Sequence, residues 1–470
     1  MDSTKNETKL LKEKLFSTAK HGAKTISEDE MKKIEKFGEK YKDFLNASKT
    51  ERESVVFAIN KAKEAGFTEF DKSKKYKPGD KFYVVNRGHA LALVVMGKQG
   101  TKQGVKLAIS HVDAPRLDLK PNPVFETNEL AMFKSHYYGG IKKYQWTTIP
   151  LSLHGRIVKK DGSYVDVNLG EDENEPCFCV TDLLPHLARE QMNKKMCEAI
   201  MGEDLNILIG SMPFKNDEES ELVKLNILKL LNDKYGIVED DLISSDLELV
   251  PAMKARDIGF DRSMIGGYAH DDRSCAYPCI EAILECTSPE KTTIVLLADK
   301  EETGSDGNTG MQSNFLKYLI SDLAEMDNIK SRDVLSKSKC LSADVNAAYD
   351  PTFANSYEAR NSSFINHGVV LTKYTGSGGK YGTSDASAEF TGEVCKLFSD
   401  NDVVWQSSEL GKVDIGGGGT IAKYVSNLNA DVIDVGVPVL SMHSPFEVIS
   451  KIDLYMTFKG IKAFFSDYDI

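Results

Sequence analysis

No apolar run in this 470-residue chain approaches the ~20 consecutive residues that a membrane-spanning helix needs, so no membrane role is expected. The opening residues, MDSTKNETKLLKEKLF, lack the uninterrupted apolar stretch of an export signal, and the expected location is cytoplasmic. Basic charge is in deficit: 59 Lys and Arg stand against 71 Asp and Glu, for a net charge of −12. Nucleic acid is therefore not an expected partner, because phosphates call for a basic face. The eight cysteines include no CxxC pair, which argues against a disulfide or thiolate-metal framework and for reduced, mostly buried thiols. There is no internal repeat and no low-complexity tract.

What remains is an ordinary globular composition, 41% hydrophobic and 28% charged, in a chain too long for one typical core. Residues 1 to about 48 have apolar positions at helical spacing, Leu10, Leu11 and Leu15, then Met31, Ile34, Phe37, Tyr41 and Phe44. They predict an amphipathic helix pair packed on the surface, the second helix starting at a Ser27/Glu30 capping box. Strand-like runs KFYVVNR, LALVVMG and VKLAIS follow, separated by turns such as GKQGTKQG. Between about 116 and 250 the pattern changes to short antiparallel strands with Asp-Gly turns and then a charged helical stretch. Strand and helix alternate again after Pro251. The predicted fold class is α/β: a mixed, largely parallel sheet sandwiched by helices, formed by 1–115 and 251–470, with a smaller β-rich domain, 116–250, inserted.

Five apolar or helix-starting segments end in a histidine or a carboxylate, at His111, Asp271, Glu301/Glu302, Asp344 and His443. Four of the preceding runs, VKLAIS, TTIVLLAD, KCLSA and VPVLSM, read as buried strands, and parallel strands bring their carboxyl ends to one crevice. In SHVDAPR a carboxylate, Asp113, stands two residues from His111, where it can fix the tautomer of a metal-binding imidazole. In AHDDRS, Asp271 precedes a helix and can bridge two cations, with His270 and Asp272 as rival ligands. In ADKEETGS one glutamate can bind metal while its neighbour takes a proton from water. Singly, each segment has a bland reading as cap, turn or surface charge. Together, at matching strand ends, they point to a dinuclear metal site.

The ordered motifs SHVDAPR, HDDRS, EETGS, SADVNAAYDP and SMHSPFEV resemble the M18 family of metallo-aminopeptidases, the aspartyl-aminopeptidase family, and look closest to its bacterial aminopeptidase 1 type. The resemblance covers nearly the whole chain. It implies that His111, Asp271 and Asp344 bind one ion, that Asp271, Glu302 and His443 bind the other, that Glu301 is the general base and that Asp113 supports His111. Two divalent ions per subunit are implied, zinc foremost, with manganese or cobalt as substitutes. The implied activity is removal of the N-terminal residue from peptides, and the implied assembly is a homo-oligomer, a tetrahedral dodecamer built from dimers.

The resemblance further implies that His186, in LLPHLARE, reaches a neighbouring subunit's active site. It implies too that DIGGGGTIAKY lines the substrate pocket through Gly417, Gly418 and Thr420; residue order alone reads that stretch as a turn into a helix N-terminus suited to an anion. A preference for acidic N-terminal residues would need a cation, for which Lys373 or Lys380 is the candidate. Two rival functions stand beside this one. A related dimetal deacylase or dipeptidase would use the same ligands, and a catalytically silent scaffold or cargo protein would keep only the fold.

Overall fold

The computed structural model describes residues 2–16, 21–215 and 220–467. Its largest feature is a nine-stranded mixed sheet whose centre holds four neighbouring parallel strands, Thr293–Ala298, Lys106–His111, Lys339–Ala343 and Asp431–Gly436. Lys81–Asn86 and Ala90–Val95 extend it antiparallel on one side, and Val369–Thr372 does so on the other. Ala90–Val95, Lys106–His111 and Thr293–Ala298 are buried along their whole length, as strands covered on both faces must be.

Alternation along each strand divides its side chains between two helical layers. Leu91, Leu93 and Val95 pack with the helices Glu28–Ala47, Glu51–Glu64, His270–Leu284 and Lys451–Ser466. Ala92 and Val94 face the opposite layer, built on Leu316, Leu319, Ile320 and Leu323 of the helix Phe315–Met326. The helix-sheet-helix sandwich is the predicted one.

A second sheet has seven strands, all paired antiparallel, drawn from residues 116–251. It carries its own core around Trp146, Leu151, Leu153 and Leu249. Asp161 and Gly162 make the turn between Leu151–Val158 and Tyr164–Leu169, but the hairpin Arg116–Thr127 to Leu130–Tyr138 turns on Asn128 and Glu129, both at positive φ. A third sheet of five short strands joins Met264–Gly267, Pro438–Leu440 and Glu447–Ser450.

Three local expectations are corrected. The first helix, Asp2–Leu15, leaves Leu10, Leu11 and Leu15 exposed, so it does not bury its apolar stripe on this chain. Ser27 does cap Glu28–Ala47 by accepting from Glu30 N, yet the Glu30 carboxylate goes to Lys459, and the reciprocal box forms at Thr50 and Glu53 instead. The run before His443 is not a strand of the large sheet: Pro438–Leu440 belongs to the small one.

Candidate metal centre

His111 is the last residue of a central strand, and Asp344 follows the end of its parallel neighbour. Glu301 and Glu302 form a single 3-10 turn just past Thr293–Ala298, with Lys300 before them and Gly304 after them at positive φ. Asp271 sits in the first turn of His270–Leu284, and His443 lies in the loop between two strands of the small sheet. Side chains from both sheets and one helix start thus converge.

Their geometry has Asp271 at the middle. Its Oδ1 is 3.2 Å from His111 Nε2 and its Oδ2 is 3.2 Å from His443 Nε2. Glu302 Oε2 stands 3.5 Å from the same nitrogen of His443. Ligand atoms of His111, Asp271 and Asp344 lie within 4.8 Å of one another, as do those of Asp271, Glu302 and His443. Glu301 Oε2 is 4.0 Å from His111 Nε2.

His111, Asp271, His443 and the Glu301–Glu302 turn are each held from behind. His111 Nδ1 faces the Asp113 carbonyl at 3.0 Å and its carboxylate at 3.3 Å. That carboxylate also accepts from Glu301 N, Glu302 N and the Tyr138 hydroxyl, so one buried aspartate orients the imidazole and the Glu-Glu turn together. His443 Nδ1 faces the Gly140 carbonyl at 2.8 Å. Glu447 accepts from His443 N through one oxygen and from Asp271 N through the other. This glutamate opens the strand Glu447–Ser450.

The rival ligands are engaged elsewhere. His270 Nδ1 lies 2.8 Å from Tyr41 Oη, and burial depresses its pKa to about 3. Asp272 accepts from Ser110 Oγ and His111 N. Gly139 and Gly140, which follow SHYY at the end of a strand of the seven-stranded sheet, were not singled out from the sequence. A Cβ on Gly139 would come within 3.2 Å of Glu302, and one on Gly140 within 3.3 Å of His443 Nδ1, so glycine lets this backbone close over the cluster. A Gly-Gly pair after a strand was the available signal.

The electrostatics fit cations. Burial, reinforced by neighbouring carboxylates, lifts Glu302 and Asp344 well above the usual carboxylate range and raises Glu301 to about 7. Asp271 is held low instead: burial pushes it up, but its contacts with His111 and His443 outweigh that. Glu302 Oε1 is buried and accepts no hydrogen bond. So many carboxylates at one buried point, with a donor left over, match divalent ions bound by imidazole and carboxylate.

Comparison with known proteins agrees. The model of the family described as aminopeptidase I zinc metalloprotease (M18) matches residues 44–465. The chain belongs to the M18 family of zinc aminopeptidases. Among M18 relatives, a probable M18 family aminopeptidase 1 of Clostridium acetobutylicum is 48% identical over 96% of this chain and 99% of its own. The crystal structure of a Thermotoga maritima M18 aminopeptidase superposes with a TM-score of 0.92, at 41% identity, over 96% of this chain and 100% of that one. The Saccharomyces cerevisiae mApe1 dodecamer shares the fold at 23% identity over 91% of this chain and 95% of that one, with a TM-score of 0.74.

The substrate candidates are placed less tightly. His186 is exposed and, among the described residues, makes no hydrogen bond or ion pair. Lys373 is exposed as well, whereas Lys380 pairs with Asp385 at 2.9 Å and lies over the Tyr374 ring. Gly417, at φ +112°, packs against the 376–377 backbone, and Gly418 O accepts from Gly376 N. The glycines therefore serve loop packing, and the helix beyond them, Ala422–Ser426, is only five residues long. Thr420 Oγ1 donates to Asp434.

Proposed function

We propose that this aminopeptidase releases the N-terminal residue of peptides using two divalent ions, zinc foremost, that share Asp271 as their bridge. His111 and Asp344 would complete one site, and Glu302 and His443 the other. The observation that carries this reading is the position of Asp271, one oxygen 3.2 Å from each histidine. When bound, the ions would supply Lewis acidity, activating water and polarising the scissile carbonyl.

The chain's own residues do the rest. Glu301, partly buried beside His111 and raised to about 7, is poised to accept a proton from the attacking water and return it to the leaving amine. Asp113 keeps that turn in place through the amides of Glu301 and Glu302. Lys373, with no ion-pair partner among the described residues, is the candidate for recognising an acidic N-terminal side chain. The segment 116–250 is read as an inserted assembly unit: its exposed Leu183, Leu184 and Leu187 flank His186, which suits a subunit contact within a dodecamer of the kind mApe1 forms. No described helix is long and apolar enough to cross a membrane, and the reading places the enzyme in the cytoplasm.

The test is turnover of unblocked aminoacyl anilides, aspartyl and glutamyl included, by metal-stripped protein before and after zinc, manganese or cobalt is added. Metal-restored release supports the proposal. Hydrolysis of N-acyl amino acids alone would turn the reading to a deacylase, and inactivity of folded, assembled protein toward every substrate would favour a scaffold.

A further inference from the structure

A second constellation of the same chemistry lies outside both ligand sets. Glu51 begins the helix Glu51–Glu64, His89 sits in the turn between Lys81–Asn86 and Ala90–Val95, and Asp299 follows the strand Thr293–Ala298. His89 Nδ1 is 2.8 Å from Glu51 Oε1 and 3.8 Å from Asp299 Oδ2, and the three donors lie within 4.8 Å of one another. The other ring nitrogen, Nε2, faces Asp246 at 3.8 Å, as the outward nitrogen of a metal-binding imidazole commonly faces a carboxylate.

The surroundings are short of positive charge. The donors open on a cleft of about 250 Å³ between the two large sheets, lined also by Asp118, Asp246 and Glu248, against which stand Arg116 and Lys300. Glu51 and Glu248 are each more than nine-tenths buried, and one oxygen of each, Oε2, accepts no hydrogen bond. Arg116 lies 3.6 Å from the first and 3.2 Å from the second, but its Nε donates to Asp118. Arg52 reaches only Asp246, at the rim. Burial and the neighbouring carboxylates hold Glu248 well above the usual carboxylate range, so its proton can be shared with Glu51, while Glu51 Oε1, His89 Nδ1 and Asp299 are left facing one another as a donor set. His89 is about one-fifth exposed, which leaves a way in.

We propose that Glu51, His89 and Asp299 form a third divalent-cation site, of the one-imidazole, two-carboxylate kind that takes zinc or manganese. Such an ion ties the first turn of a helix and a strand turn to the loop that carries Glu301 and Glu302. It is a structural clamp on that loop and needs no contact with substrate. The inference does not rest on the count of ions at the Asp271 cluster, because its test is a difference between two proteins that share that cluster.

Full-length wild type and His89→Ala are equilibrated by dialysis against buffered micromolar zinc, and zinc per chain is measured by plasma mass spectrometry. The variant is expected to hold one ion fewer, and to lose the part of the zinc-induced rise in melting temperature that the third ion supplies. Equal zinc content in the two proteins overturns the proposal and leaves His89 an ion-pair partner of Glu51. Should His89→Ala fail to fold, His89→Gln decides the matter, since its amide keeps a hydrogen bond to Glu51 while offering no imidazole.

Discussion

The Asp271 cluster and the loops spanning 373–420 differ in how their side chains are held. At the cluster, the imidazoles of His111 and His443 and the backbone amides of Asp271, Glu302 and His443 are each fixed by a second contact, from Asp113, Glu447 or the Gly140 carbonyl. In the loops, Lys373 is exposed, Lys380 is tied to Asp385, and glycines at 376, 417 and 418 hold backbone to backbone. On the proposed reading, the reacting groups are held by their neighbours, as catalytic positioning demands, whereas the loops proposed to select a side chain present Lys373 with no ion-pair partner among the described residues. Changes at the first region should therefore cost rate, and changes at the second should alter preference.

The sharpest break is Glu301→Gln. It keeps shape and all proposed ligands but removes the proposed base, and kcat should fall about a hundred- to ten-thousand-fold, as is usual for loss of a general base. Zinc content measured alongside should stay at the wild-type value; near-normal turnover removes Glu301 as the base.

Next in size is Asp113→Asn, which disturbs the anchor of His111 and of both glutamate amides. Metal affinity or kcat should drop about 10- to 100-fold, the usual cost of losing the partner behind a metal ligand. Zinc titration and steady-state kinetics on the same preparation would show it, and an unchanged variant would mean that the turn and His111 keep their places without the charge of Asp113.

In the loops the expected effect is smaller and of another kind. Lys373→Ala should lower kcat/KM for aspartyl over leucyl anilide by about fivefold or less, the scale of an exposed charge contact, with kcat for leucyl substrate unchanged. Lys380→Ala, whose charge already faces Asp385, should move that ratio less. An equal fall for both substrates would place Lys373 outside substrate selection.

The smallest effect concerns a buried histidine with no part in the chemistry. His154 lies between Glu53 and Glu171, at 2.8 and 3.2 Å; burial lowers its pKa, but the two carboxylates outweigh burial and raise it. Because the folded value exceeds the unfolded one, the stabilisation is full below about pH 6.5 and is lost as pH rises through the folded value. His154→Gln should lower the melting temperature by a few degrees at pH 6 and by less at pH 9. A loss that is the same at both values would assign His154 to packing alone.

Much of the large sheet was legible because the apolar runs LALVVM, VKLAIS and TTIVLLA are buried on both faces and leave little choice of element. The cluster was legible because each run stops at a residue able to bind metal. The strand before His443 misled for the same reason: an apolar run is equally buried in either sheet, and periodicity carries no label for which one. Glu447 and Tyr138 escaped notice because their work is done through backbone amides and a neighbouring carboxylate, which leave no spacing rule in the chain. In the glycine-rich loops, residue order pointed to an anion site at a helix start, while the backbone uses those glycines for close approach and Thr420 turns to Asp434.

The most direct test of the central claim is an anomalous-difference map from crystals of the zinc-loaded enzyme, recorded at the zinc edge. The account predicts two peaks flanking Asp271, one shared with His111 and Asp344 and the other with Glu302 and His443. A single peak there, or a pair in which Asp271 contacts only one ion, would contradict it.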